Sequence, residues 1–226
     1  MAPVVRAEPN GCQALLMFDD THSDLEKFGW LPFIRKFDGY NPSVARQFAL
    51  TFDGCRAKVG DVQLEINEQF LSSATSLPAT GQKWSKNYKV EDVPWTFLFQ
   101  SRMVNSCEKG WPANMLKQRW HDLLMIIKQF ITCEGRYGFI FLYHLRLLMV
   151  FMGFELKMPH YLHRSLFNMA KRYKHNQADT SLFHFGLIKM IVVYELGLRR
   201  DSWGDFLSQN GFEDSSPPQV DKTVVS

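Results

Sequence analysis

The residue types of a nucleophilic catalytic site occur in this sequence, but no motif arranges them. Cys107 and Cys133 could act as nucleophiles, His121 as a base and Asp122 as the group that orients the base. His121 and Asp122 lie in a stretch with helical periodicity, and no local signature links them to either cysteine. The sequence therefore favours a non-enzymatic protein. An enzyme with a Cys/His site in a helical pocket is the alternative.

Two histidines, His160 and His163, stand three residues apart and could reach one metal ion from a single helix. A metal site needs a third ligand, and no HExxH motif or paired cysteines accompany them. The chain also lacks a P-loop and a GxGxxG motif, and the five acidic residues between 109 and 200 are scattered, which argues against a two-metal nuclease. We expect neither a metal nor a cofactor.

The segment PHYLHRSLFNMAKRYKH predicts a helix with a core stripe and an opposite basic face. The stripe is formed by Leu162, Leu166, Met169 and Tyr173. No acidic residue occurs between Glu155 and Asp179. A basic face that contains an aromatic residue could follow a phosphate backbone and stack on a base, whereas the simpler interpretation is a solvated helix face. The candidate contact residues for nucleic acid or another polyanion are His160, His163, Arg164, Phe167, Lys171, Lys174 and His175.

The net charge of +3 conceals a segregation along the chain. Residues 1–108 carry 11 basic and 13 acidic side chains, residues 109–200 carry 14 and 5, and residues 201–226 carry 1 and 5. The middle segment, with an excess of nine positive charges, favours an anionic partner.

The four cysteines are widely spaced, and the first residues lack the pattern of a signal peptide. These features predict an intracellular protein of the cytoplasm or nucleus, not a secreted one, with reduced and buried thiols.

The apolar stretch GRYGFIFLYHLRLLMVFMGF is long enough to be considered as a membrane-spanning helix. His144 and Arg146 point about 160° apart on a helix, so they cannot share one protein-facing side of a span. SLFHFGLIKMIVVYELG has similar polar interruptions. We therefore predict two buried helices and no membrane, with the Arg146 head group at the rim of the core or paired with a carboxylate.

The fold that positions these candidate residues is predicted to be mainly α. We expect a multi-helix bundle with one small β-hairpin in the N-terminal third. Short helices are predicted after Asp20 and from Asn41-Pro42, and a short helix or an extended piece is predicted at WLPFIRKF. Alternation in CRAKVGDVQLEI predicts a hairpin over about 55–66, and Asn67 caps the next helix, which Pro78 ends.

The helical core is predicted over about 111–208 in one domain spanning 20–210. Its helices are expected at 112–133, 137–154, 159–175 and 181–196, with a short one around 203–207. Residues 1–19 are predicted to be a loose leader, and residues 211–226 a disordered acidic tail.

Two stretches resemble the sequences of one known family. In the first, the matching residues are Phe48, Val59, Gly60, Ile66, Asn67, Leu77, Pro78 and Gly81. They correspond to a helix that ends in Phe, a hairpin that contains Val and Gly, a helix that begins with Ile-Asn, and Leu-Pro-x-x-Gly. The second stretch is LKQRWHDLLMIIKQFITCEGRYGFIFLYHLRLLMVFMGFELKMPHYLHRSL. Both are similar to plant proteins that carry a transposon domain, derived from retroelements and associated with gag or transposase.

The resemblance covers roughly residues 40–175 and implies a plant transposable-element-derived domain that acts as an interaction or capsid-like module. It brings no catalytic residues. Partners expected on this basis are nucleic acid or another polyanion, or further copies of the chain. A self-assembling structural protein without nucleic-acid binding is the other alternative.

Overall fold

Ten α-helices and two pairs of short strands form the described part of the computed structural model. That part comprises residues 19–37, 39, 41–84, 92–100, 110–133, 138–175, 184–197 and 202–212. The helices are α1 (Asp19–Lys27), α2 (Leu31–Arg35), α3 (Pro42–Thr51), α4 (Glu68–Thr75), α5 (Trp95–Leu98), α6 (Gln118–Ile126), α7 (Leu142–Met149), α8 (Met158–His175), α9 (Phe185–Glu195) and α10 (Trp203–Gln209). The strands are β1 (Arg56–Val59), β2 (Val62–Glu65), β3 (Trp111–Pro112) and β4 (Phe139–Ile140). The predicted mainly α fold is confirmed.

The helix starts predicted from Asn residues are confirmed. The Asn41 side chain accepts hydrogen bonds from the backbone N–H groups of Ser43 and Val44, and Asn67 accepts one from Phe70. Each side chain satisfies donors that the first turn of a helix leaves without partners. Helix α4 ends earlier than predicted from Pro78, because Ser76 adopts a left-handed conformation with φ +62°.

The predicted hairpin is also confirmed. Strands β1 and β2 pair antiparallel, with Ala57 opposite Leu64 and Val59 opposite Val62. Ala57, Val59 and Leu64 are buried, as the period-two pattern requires. The hairpin packs on α3, where the Thr51 hydroxyl both accepts from the Lys58 N–H and donates to its carbonyl.

The prediction of one long helix over 112–133 is wrong at its start. Pro112 is extended and belongs to β3, Ala113–Met115 forms a 3-10 turn, and α6 begins only at Gln118. Pairing of Trp111 with Ile140 in β4 explains the difference, because a contact with a distant segment holds the chain extended. The helical path continues beyond α6 as a π-helix over Ile127–Thr132.

The helix predicted over 137–154 is shorter for the same reason. Phe139 and Ile140 form β4, and α7 is followed by a 3-10 turn over Val150–Met152. The turn ends at Gly153, whose φ of +93° closes the helix. The remaining predicted helices are close to α8, α9 and α10, although residues 181–183 lie outside the described part.

Helices α8 and α9 form the centre of the molecule by packing on the N-terminal elements α3 and α4. Helix α9 has six buried residues in succession from Leu187 to Val192, so it is covered on nearly all sides. Helix α1 packs on α6, and α6 on α7. Contacts of Trp30 with Phe151 and of Phe37 with Phe130 join these layers.

The polar interruptions of the apolar helices are buried. His144 accepts a hydrogen bond at Nδ1 from the Phe141 N–H, and its Nε2 lies 3.5 Å from the Thr132 hydroxyl. Arg146 is only 4% exposed, and its guanidinium lies 4.9 Å from the Trp84 ring centroid. The expectation that Arg146 reaches the rim is therefore wrong, because aromatic faces receive it inside the core.

In the described residues, no helix is both long and apolar enough to cross a membrane. The predicted leader, apart from Asp19, and residues 213–226 of the predicted tail lie outside the described part. Phe212 packs against Phe206 of α10, so the folded part extends two residues beyond the predicted boundary at 210.

Replacement of Gly60 by Ala is expected to destabilise the fold. A Cβ at Gly60 would lie 2.0 Å from Asn210 Oδ1, the atom that accepts the Asp61 N–H. Gly197 provides a matched control, because its φ of +59° is nearly that of Gly60, +60°, and no atom of the described residues lies within 4 Å of its Cβ position. Urea unfolding should show a loss of about 1 kcal/mol for Gly197→Ala and at least about 1 kcal/mol more for Gly60→Ala. Equal losses would contradict the contact with Asn210.

The free energy of unfolding should fall steeply as the pH decreases below 6.5. Burial lowers the pKa of both His144 and His184 to about 3, with Lys128 adding to the effect on His144. Between pH 6.5 and 3 the unfolded chain therefore binds protons that the folded chain does not. We expect a loss of about 1–3 kcal/mol per pH unit. Urea unfolding at several pH values should show a shallower slope for His144→Leu, and an unchanged slope would refute this cause.

Candidate polyanion interface on helix α8

All seven predicted contact residues lie on α8, and the described chain uses them in two different ways. Helix α8 has no acidic residue, and its core stripe is confirmed, since Leu162, Leu166 and Met169 are buried and Tyr173 is half-buried against the core. On a regular helix, His163, Lys171 and Lys174 lie within about 40° of Phe167. The N-terminal half of this basic face contacts the protein itself, and the C-terminal half is exposed.

In the N-terminal half, each candidate side chain has a partner from the first 84 residues. His160 Nδ1 lies 2.7 Å from Glu68 Oε1, and His163 Nε2 lies 2.8 Å from the Gly54 carbonyl oxygen. Arg164 donates to the Trp84 carbonyl at 3.2 Å. These three side chains are half-buried, so they hold α8 against α4 and the adjoining loops.

Glu68 is the acidic centre of this contact. Its two carboxylate oxygens bind Lys157 at 2.6 Å and His160 at 2.7 Å. The hydrogen bonds from Lys157 and then His160 lower the pKa of Glu68 to about 2, against a smaller opposing effect of burial. The carboxylate therefore stays charged over the whole physiological range.

In the C-terminal half, Phe167, Lys171, Lys174 and His175 are exposed. Lys174 Nζ donates to the Phe52 carbonyl oxygen at 2.6 Å, a contact that orients the ammonium group through a backbone oxygen and not through a carboxylate. Phe167 is 39% exposed, and its ring edge lies against Gly54. This half is the part of the predicted face that a ligand can reach.

The turn over residues 53–56 borders the exposed half, and the sequence did not indicate that it would. Asp53 Oδ1 accepts the backbone N–H groups of Cys55 and Arg56, which lowers the Asp53 pKa. The resulting turn brings Gly54 to Phe167. Cys55 is exposed, so the expectation of buried thiols is wrong for this residue. The contact joins segments more than a hundred residues apart, which no local pattern reveals.

Arg172 is a further exposed cation of the last turn that the sequence analysis left out of the candidate set. It points about 140° away from Phe167 around the helix axis. Cations at a helix C-terminus also interact favourably with the helix dipole, so some of this charge stabilises α8 itself.

Within the described residues, no group of three or more potential ligands could hold a metal ion. His160 and His163 are bound to Glu68 and to the Gly54 carbonyl oxygen, respectively, so their hydrogen bonds account for both side chains without a metal.

The alternative Cys/His site is not assembled by α6. His121 lies near the start of the helix and Cys133 at the end of the π-helix that continues it, so their Cα atoms are about 18 Å apart along the axis. Cys133 Sγ lies 3.5 Å from the Gln129 carbonyl, and His121 lies beside Asp122. Cys107 is outside the described residues.

Comparisons of the chain with protein-family models, with curated proteins and with solved structures give no match.

Replacement of Glu68 by Gln should destabilise the chain by about 1–2 kcal/mol at pH 7, after allowance for the partial exposure of the carboxylate. The Glu68 pKa is lower in the folded chain than its usual 4.5, so its contribution is complete above pH 4.5 and is lost as the pH falls toward 2. Urea unfolding of both proteins across this range should show that their free energies of unfolding converge as the pH falls.

Glu65→Gln is the matched control. Its ion pair with Arg56 is 3.7 Å long, and both side chains are more than 60% exposed. We expect a change of less than about 0.5 kcal/mol. A Glu68→Gln protein no less stable than Glu65→Gln would show that the ion pairs do not hold α8 in place.

Proposed function

We propose that this chain is a non-enzymatic interaction module that binds nucleic acid or another polyanion through the exposed half of α8. The main observation in support of this proposal is that the exposed side chains of Lys171, Lys174 and His175 are grouped around Phe167 on a helix without a carboxylate. The resemblance to plant transposable-element-derived domains accords with such a role. A location in the cytoplasm or nucleus, where nucleic acid is found, forms part of the proposal.

Two features of the described residues support a binding role. First, the partner of Lys174 is a backbone carbonyl, so its hydrogen bond orients the ammonium group and does not cancel its charge. Second, Lys171 has no side-chain partner within the described ranges, and its ammonium group is available to an anion. Exposed lysines of this kind bind phosphate as point charges.

The alternatives have less support in the described residues. The separation of His121 and Cys133 along one helical path argues against a catalytic site formed by these two residues. The large exposed hydrophobic residues lie on six different elements, which does not favour one continuous patch for self-assembly. They are Leu50, Phe97, Phe139, Met152, Phe167 and Tyr194.

The double variant Lys171→Gln with Lys174→Gln should bind polyanions more weakly. Affinity is measured by fluorescence anisotropy of the full chain with labelled oligo-dT, a labelled duplex and labelled polyphosphate, at about 50 and 200 mM salt. We expect affinity to fall about tenfold at the lower salt, and the slope of log affinity for oligo-dT against log salt to decrease by about 1.4.

The double variant Lys27→Gln with Lys117→Gln is the control, because it removes the same charge from exposed positions outside α8. It should bind like the unmodified chain, and light scattering of each protein will detect self-association. The proposal fails if the unmodified chain binds none of the three probes at about 50 mM salt. It also fails if both double variants lose affinity equally.

A further inference from the structure

The exposed half of α8 combines a supported aromatic ring with cations at fixed spacing. Phe167 is 39% exposed, and Lys171 and Lys174 follow it by four and seven residues on the same face. At 1.5 Å per residue, the three side chains extend over about 10 Å of the helix. A ligand of this surface must therefore present both an apolar planar face and negative charge at short range.

The Phe167 ring is held in place from one side. A Cβ at Gly54 would lie 3.1 Å from both Cδ2 and Cε2 of the ring, so only glycine leaves room for this contact without displacing the ring. The φ of +114° at Gly54 is itself a conformation that other residues avoid. The turn that carries Gly54 is fixed by the Asp53 side chain and by the bond from His163 to the Gly54 carbonyl. The ring is thus a platform with a rigid support.

The reach of the surface is short, because His160, His163 and Arg164 are engaged with Glu68, the Gly54 carbonyl and the Trp84 carbonyl. The accessible part spans about two helical turns. Such a surface contacts few phosphates, so following a duplex backbone would use its cations and leave the aromatic ring without a partner. The bases of a duplex are stacked on one another, and exposing one face costs a few kcal/mol.

We propose that the ligand class of this surface is single-stranded nucleic acid, one base of which stacks on Phe167 while Lys171 and Lys174 bind the adjoining phosphates. This inference rests on the proposed function and specifies its ligand. Every base has a stacking face, so binding is tolerant of sequence. The Asp53 carboxylate lies one residue before Gly54, which supports the ring, and limits the positive potential on that side.

The test separates stacking from charge. The full chain is titrated with labelled oligo-dT, with a duplex of equal length and with polyphosphate. We expect oligo-dT to bind about tenfold more tightly than the duplex. Phe167→Leu keeps an apolar side chain against Gly54 but removes the aromatic face, so it should lose about tenfold in affinity for oligo-dT and retain its affinity for polyphosphate. Phe167→Trp keeps the face and should bind oligo-dT at least as tightly as Phe167.

Phe97→Leu is the matched control. Phe97 is 50% exposed, and Lys117 Nζ lies 5.9 Å from its ring centroid, so it is an aromatic residue beside a cation on another element. This variant should leave all three affinities unchanged. Thermal melting of each variant verifies that it is folded, and Phe167→Trp decides the outcome if Phe167→Leu is unfolded.

The outcomes distinguish the two proposals. Equal or tighter binding of the duplex overturns the single-strand inference and leaves the polyanion function standing. The same conclusion follows if Phe167→Leu keeps its affinity for oligo-dT, if Phe167→Trp loses that affinity, or if Phe97→Leu loses as much as Phe167→Leu. Absence of binding to all three probes removes the proposed function and the inference together.

Discussion

The contact of α8 with the N-terminal elements is the interaction on which the rest of the structure depends. Glu68 binds Lys157 and His160 at the start of α8, and the carbonyl groups of Gly54 and Trp84 accept hydrogen bonds from His163 and Arg164. These bonds fix which way α8 faces, and α9 packs against the same two helices, α3 and α4. The same contact divides the basic face into a half that stabilises the fold and a half that remains accessible.

The sequence predicted the elements whose signals are local. The Asn41 and Asn67 caps, the alternation of β1 and β2 and the core stripe of α8 depend on neighbours within a few residues, so they can be recognised without the fold. The start of α6 and the first part of the helix expected at 137–154 could not be predicted. There, Trp111 pairs with Ile140, and Lys128 inside the π-helix donates to the Phe139 carbonyl. These contacts between distant segments override helical periodicity.

The candidate surface shows the same division. Residue type and spacing placed Phe167, Lys171 and Lys174 on one face, and the helix does so. The partners of the face were hidden, since Glu68 lies 92 residues before His160 and Gly54 lies 109 residues before His163. The position of Arg146 was unpredictable for the same reason. It is buried against Trp84, a residue that no spacing rule connects to it. A sequence therefore reveals which side chains share a face more readily than what that face meets.

The charge segregation of the chain gains a physical meaning from these partners. A positive segment packed on an acidic one could be neutralised by ion pairs, and the face would then have no field left for a ligand. Of the four cationic or histidine side chains of α8 with partners described above, only His160 meets a carboxylate, and His163, Arg164 and Lys174 meet backbone carbonyl groups. A carbonyl satisfies a donor and orients it without cancelling a unit charge. Contact with the N-terminal half therefore positions the basic face and preserves its positive charge, which is the condition that a polyanion-binding surface requires.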